Sequence, residues 1–195
     1  MFPDFIQTEL NQIKNRGLYR TLRQVEGEQG PTLILDGQEV LNFSSNNYLG
    51  LANHPALGEA AKEAIDRYGC GSGASRLISG NMTLHTELEK KIAELKGTET
   101  ALVFNSGFQA NTGLLSTLMG EGDLIYSDDL NHASLIDGCR LSRAKTVVYP
   151  HCDLSRLEDE LKNAPPKGKK LIVTETLFSM DGDEAPLAEI VELAE

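Results

Sequence analysis

Four short apolar runs, residues 101–104, 124–126, 146–149 and 171–174, alternate with helical patterns near 108–119, 134–141 and 155–163. No other feature of the 195 residues limits the fold so strongly. Strands that are apolar without a period of two are buried on both faces, and helices between them are the crossovers a parallel sheet needs. The expectation is therefore an α/β domain, a mostly parallel sheet between helices. Ser155-Arg-Leu-Glu158 matches a capping box and predicts the start of the third helix. Ligands of such sheets lie outside the carboxyl ends of the strands. Phe104–Asn111, Asp128–His132 and Glu175–Asp181 all leave strands at that edge, so three loops are expected to converge there.

The segment before this alternation reads differently. Residues 3 to about 22 place Phe5 (or Ile6), Leu10 and Ile13 at helical spacing, which predicts an amphipathic arm lying on the body or on another subunit. Thr32–Leu35 and Gln38–Phe43, joined by Asp36-Gly37, predict a hairpin with a favoured turn. Ser44–Gly50 is polar and turn-rich. A helix is expected from Asn53 and Pro55 through Tyr68, stopped by Gly69, and another along Leu84, Leu88, Ile92 and Leu95, closed by Gly97. The glycine-rich loop Gly69–Ser75 follows a helix, and its spacing fits neither a dinucleotide fingerprint nor a phosphate loop. It reads as a connection that lets backbone approach something closely. The expected division is an arm and hairpin over residues 1–45 and a larger α/β body over 46–195.

A net charge of −11 argues against nucleic acid or an anionic membrane as the main partner, yet leaves a small anionic ligand open. Residues 1–10 carry Asp4 and Glu9, so no secretory leader is expected, and no apolar run approaches the ~18 residues of a membrane helix. Cys70, Cys139 and Cys152 are odd in number and widely spaced, which suits isolated thiols in a reducing cytoplasm rather than a disulfide framework or a metal site. The chain stops within a helical pattern at residues 186–195, and a further strand of the sheet is expected beyond it.

The candidate chemistry sits mostly on the ligand edge. Ser106, Gly107 and Phe108 open a helix whose first N–H groups have no partner within the helix, so they form either an anion site or an ordinary strand-to-helix turn. His132 follows a strand, where its ring can stack on a planar ligand or carry a proton. Glu175 closes a buried strand and needs a partner there. Ser179 is a turn hydroxyl, and Asp181 and Asp183 read as turn formers. Arg20 offers a planar fork for a carboxylate or phosphate, with Arg23 as the alternative one turn on. His54, His85 and His151 show no metal-like spacing and read as surface or helix-end residues. No metal site is expected, and no serine-hydrolase elbow or zinc motif occurs.

Five stretches together resemble the successive signatures of the α-oxoamine synthases. They are Asn42-Phe-Ser-Ser-Asn-Asn-Tyr-Leu-Gly-Leu51, Gly71-Ser-Gly-Ala-Ser-Arg76, Phe104-Asn-Ser-Gly-Phe108, Asn131-His-Ala-Ser134 and Phe178-Ser-Met-Asp-Gly182. The resemblance runs from about Arg16 to the last residue. It implies a truncated fold-type-I PLP-dependent transferase large domain carrying an N-terminal helical arm and β-hairpin. It also implies pyridoxal phosphate as cofactor, a homodimer, and condensation of an amino acid with an acyl-CoA or acyl-carrier-protein thioester with loss of carbon dioxide. Residues 71–83 and 105–108 lean toward the branch that uses L-alanine and a pimeloyl thioester, over branches that use glycine; a non-catalytic binding module is the alternative of another kind.

By that resemblance the backbone of Ser106, Gly107 and Phe108 holds the cofactor phosphate and His132 stacks on its ring. Ser179 contacts the cofactor, Glu175 supports that wall, and Arg20 and Asn46 face the substrate. The family carries its cofactor as a Schiff base on a lysine, preceded by an aspartate that pairs with the ring nitrogen. No lysine in residues 1–195 stands in that motif, so these residues alone are expected to be inactive.

Overall fold

The computed structural model describes residues 3–195 and divides into two compact units, Met1–Ser75 and Arg76–Glu195. The boundary expected near residue 45 falls inside the first unit.

In the first unit, helix α1 covers Asp4–Asn15, shorter than the arm expected from the apolar spacing. It ends because Gly17 turns left-handed at φ 69° and Leu18 N–H returns to the Ile13 carbonyl at 3.0 Å, a Schellman-type stop. Arg20 thus lies outside the helix. Strands β1 (Val25–Glu26), β2 (Thr32–Leu35) and β3 (Gln38–Leu41) form an antiparallel sheet in that order, and β1 is too short for the sequence pattern to reveal. Leu35 pairs with Gln38 across Asp36 (φ 51°) and Gly37 (φ 78°), the two positive angles a type I′ turn demands. The Asp36 carboxylate accepts from Arg23 Nε at 2.6 Å and from Gln24 N–H at 2.8 Å, which ties the turn to the strand before it. Helix α2 (Pro55–Tyr68) begins with Pro at its first turn and His54 Nδ1 accepting from Ala56 N–H, and Gly69 ends it.

The second unit opens with a π-helical turn at Arg76–Gly80 and helix α3 (Thr83–Lys96), closed by left-handed Gly97. His85 accepts from Met82 N–H at the start of α3, the helix-end role expected of it. Then follow α4 (Gly107–Leu118), β4 (Leu124–Asp128), α5 (Ala133–Ser142), β5 (Lys145–Tyr149), α6 (Leu154–Lys162), β6 (Lys170–Val173) and α7 (Leu187–Ala194). The strands form a parallel sheet in the order β5-β4-β6.

Central strand β4 is buried along its whole length, and its side chains alternate between two cores. Ile125 packs with Leu115, Met119, Cys139 and Val173 on the α4–α5 side. Leu124 and Tyr126 pack with Tyr149, Leu157, Phe178 and Ile190 on the α6–α7 side. Burial on both faces explains why β4 reads as a continuous apolar run.

Two expectations of secondary structure fail in the second unit. Ala101–Phe104 is not a strand of this sheet: Leu102 and Phe104 are exposed. Side chains take up the Val103 peptide groups instead, with N–H donating to Glu89 Oε1 at 2.8 Å and the carbonyl accepting from Arg76 Nη1 at 3.4 Å. Arg76 and Glu89 form a two-pronged pair at 2.6 and 2.8 Å, which holds the Glu89 carboxyl down at about 2, with help from the Val103 N–H. The second failure is the capping box at Ser155. Asp153 is the cap of α6, accepting from Arg156 N–H at 2.9 Å, because an aspartate two residues earlier reaches the first free amides. All three cysteines are free thiols. No helix among the described residues is long and apolar enough to cross a membrane.

Candidate functional site

Parallel pairing puts the carboxyl ends of β4 and β6 on one edge, and polar contacts draw the following loops together there. Asn131, buried, donates from Nδ2 to the Val173 carbonyl at 2.8 Å and to Ser127 Oγ at 3.0 Å. The next residue, His132, is the N-cap of α5, and its backbone N–H donates to Glu175 Oε1 at 2.5 Å. Glu175 thus has the partner its position requires, and the loop after β4 is fastened to the loop after β6.

The His132 ring is fixed from one side. Nδ1 accepts from Ser134 N–H at 3.2 Å and lies 2.7 Å from Ser134 Oγ, which in turn accepts from Asn111 Nδ2 at 2.9 Å. With Oγ taking the amide proton of Asn111, its own proton points to Nδ1, so the ring's proton is assigned to Nε2. The ring itself is exposed. It is therefore oriented at one nitrogen and open elsewhere, the condition for stacking on a flat ligand.

Asn111 belongs to the second turn of α4, so the same chain of bonds brings the α4 N-terminus to this edge. Ser106 caps α4, its Oγ accepting from Gln109 N–H at 3.2 Å, while Ala110 N–H goes to the Ser106 carbonyl. The N–H groups of Gly107 and Phe108 have no protein acceptor among the described residues, and both residues are exposed. Two open amides at the positive end of a 12-residue helix suit a phosphate dianion. The residues present therefore fit pyridoxal phosphate: a cup for its phosphate at Ser106–Phe108 and a held ring at His132.

The remaining candidates are placed as follows. Ser179 is exposed in the loop between β6 and α7. Arg20 and Asn46 are exposed in the first unit, where Asn46 Oδ1 accepts from Tyr48 Oη at 3.4 Å. Arg23 is committed to Asp36, which leaves Arg20 as the arginine without an ion-pair partner in that pair of candidates among the described residues. Sequence reasoning gave no role to Asn111 or Ser134, although Asn111 ends the stretch Phe104–Asn111 and Ser134 closes the motif Asn131–Ser134. It also misread His151, which is half-buried between Asp128 and Asp183 rather than a surface or helix-end residue.

The class I and II aminotransferase family matches residues 38–195. Curated relatives include 8-amino-7-oxononanoate synthases of Geobacter sulfurreducens, 56% identical over 96% of this chain and 48% of the relative, and of Thermoanaerobacter pseudethanolicus, 56% identical over 98% and 49%. The chain spans about half the length of the curated relatives it matches. Among solved structures, a serine palmitoyltransferase variant from S. paucimobilis with a bound PLP–myriocin aldimine is 33% identical, with a TM-score of 0.88 over 98% of this chain and 48% of that one. The 8-amino-7-oxononanoate synthase of Francisella tularensis is 34% identical, with a TM-score of 0.64 over 77% of this chain and 41% of that one. These likenesses cover both units and agree with the α/β fold. The chain belongs to the class I and II aminotransferase family, on its α-oxoamine synthase branch, whose cofactor is pyridoxal phosphate.

Proposed function

We propose that the protein these residues belong to is a pyridoxal-phosphate-dependent acyltransferase. It condenses L-alanine with a pimeloyl thioester, on CoA or a carrier protein, to 8-amino-7-oxononanoate, a step of biotin biosynthesis. One geometric observation carries the cofactor assignment: His132 is held through Nδ1 on the edge where α4 presents two open amides. The choice within the family is supported by the 8-amino-7-oxononanoate synthase names of its curated relatives.

When bound, the cofactor supplies an electron-withdrawing ring that stabilises a carbanion at the amino acid's Cα. The chain's own residues bind and orient. Gly107 and Phe108 donate to the phosphate, His132 stacks on the ring with its proton on Nε2, and Glu175 keeps the His132 backbone in place. Ser179 borders the cofactor from the loop after β6. Arg20 pairs with a substrate carboxylate, for which a guanidinium fork is suited, and Asn46 adds a polar contact. By the family resemblance a carrier lysine and an aspartate at the ring nitrogen complete such a site, and no lysine among residues 1–195 stands in that motif. A homodimer in the cytoplasm belongs to the same reading.

Assaying the full-length protein with alanine, glycine and serine against several acyl thioesters tests the assignment. Alanine with the pimeloyl thioester is expected to give the highest kcat/KM. Glycine with a short acyl-CoA winning would point to a glycine-using sister enzyme, and serine with a long-chain acyl-CoA to the activity of the solved neighbours. Absence of a cofactor absorbance after adding pyridoxal phosphate would point to a non-catalytic module.

A further inference from the structure

The polar cluster around His151 starts at a buried carboxylate and ends at a half-exposed one. His151 sits between two carboxylates, with Nδ1 2.9 Å from Asp128 Oδ1 and Nε2 2.9 Å from Asp183 Oδ2. Its ring meets Phe178 edge-on, centroids 4.4 Å apart at 80°. Both neighbours at the ring nitrogens are acceptors, so both nitrogens donate and the ring is a cation. Asp128 is 1% exposed and is further saturated by Leu130 N–H at 2.9 Å and Cys152 N–H at 3.0 Å. Asp128, His151 and Cys152 have ligand atoms within 4.8 Å of one another, but the histidine and the aspartate are already engaged, which favours a clasp over a metal site.

The two carboxylates belong to the two loops of the candidate site. Asp128 ends β4 and organises the turn that leads to His132. Asp183 lies in a hairpin-like loop closed by Ala185 N–H to the Thr176 carbonyl at 3.2 Å and Phe178 N–H to the Asp183 carbonyl at 2.9 Å, with Ser179 exposed at its tip. We propose that His151 is a positioning residue, a doubly bonded clasp that fixes the Ser179 loop against the strand end that carries the His132 loop. Its consequence for the cofactor rests on the proposed function; the clasp itself does not.

The raised affinity of His151 for its proton, up to about 9, agrees with this arrangement and comes first from Asp128 and then from Asp183. The charged and titratable groups that face the ring are Asp128 from β4, Cys152 beside it, with Sγ 3.5 Å from Nε2, and Asp183 from the loop; Tyr149 on β5 is near enough to Asp128 to feel its charge.

Hydrogen exchange on the full-length protein tests the clasp, comparing wild type with His151→Gln and with Asp183→Ala, whose side chain is half exposed and whose loss leaves no cavity in the core. The Phe178, Gly182 and Ala185 amides are expected to exchange at least tenfold faster in both variants, with β4 amides unchanged. In wild type, loop protection corrected for intrinsic rate falls as pH passes about 9, and His151→Gln abolishes that step. Wild-type protection of the loop in Asp183→Ala, or a missing alkaline step in wild type, overturns the proposal. Pyridoxal phosphate affinity on the same variants reports separately: a loosened loop with unchanged affinity keeps the clasp and contradicts the placement of Ser179 at the cofactor.

Discussion

Ser134 meets His132 twice at the same nitrogen, with its N–H 3.2 Å and its Oγ 2.7 Å from Nδ1. Turning the ring away would lose both bonds, and moving its proton to Nδ1 would lose the one from the Ser134 N–H. Ser134→Ala removes one of them and leaves the Asn111 amide, its donor partner at 2.9 Å, unpaired. The expected outcome is a loss of about 1–3 kcal/mol in urea unfolding and a pyridoxal phosphate affinity lowered by roughly threefold to tenfold. Ser134→Thr, which keeps the hydroxyl, is expected to restore most of both.

The α4–α5 contact that brings Asn111 to Ser134 depends on one glycine. A Cβ added at Gly138 would stand 2.7 Å from Leu115 Cδ1 and 3.0 Å from the Asn111 backbone carbonyl. The backbone of α4 cannot give way as a flexible side chain would. Gly138→Ala is expected to cost about 1–3 kcal/mol by overpacking, measured as a lower urea midpoint at unchanged m.

Acid dependence follows from the pair that holds Val103. Glu89 has its folded pKa lowered from 4.5 to about 2, chiefly by Arg76. A depressed carboxylate contributes stability that is fully present above 4.5 and is lost as pH falls through about 2. Urea unfolding of Glu89→Gln should therefore be lower than wild type at neutral pH, with the difference shrinking across that acid window. A difference that persists unchanged at the acid end would contradict the pairing.

The two candidate arginines are separable. Arg23 is bound to Asp36, so Arg23→Ala should loosen the hairpin turn and leave KM for substrate near wild type. Arg20→Ala in the full-length enzyme should raise KM by about tenfold or more, as removal of a binding contact does. The reverse pattern would reassign the substrate carboxylate to Arg23.

How far the sequence was legible depends on the range of the interaction. Strand β4 stood out because burial on both faces leaves an unbroken apolar run, its neighbours β5 and β6 because their apolar runs pair with it, and the Asp36-Gly37 turn because its backbone angles admit few residue types. His132 stood out because a strand end followed by a helix cap is a local pattern, and Ser106 because a run of small residues opening a helix is one as well. Ala101–Phe104 has the same apolar pattern as a strand, and what distinguishes it is Arg76 and Glu89 reaching in from an earlier turn and helix. His151 was misread for the same reason. Its partners Asp128 and Asp183 lie 23 and 32 residues away, and no periodicity records them. The Asn111–Ser134 bond spans 23 residues and was equally hidden.

In the proposed function the α4 N-terminus binds the phosphate of pyridoxal phosphate through its open amides, and Gly107→Pro probes that contact. Ser106 is extended at φ −156° and ψ 156°, the conformation a residue before proline prefers, and proline is accepted at the first helical position. The variant thus deletes one N–H and keeps the helix. In the full-length protein, the pyridoxal phosphate dissociation constant should rise by roughly tenfold to a hundredfold, the worth of one hydrogen bond to a charged group, with circular dichroism and Tm near wild type. An unchanged dissociation constant in a folded Gly107→Pro protein would contradict the account.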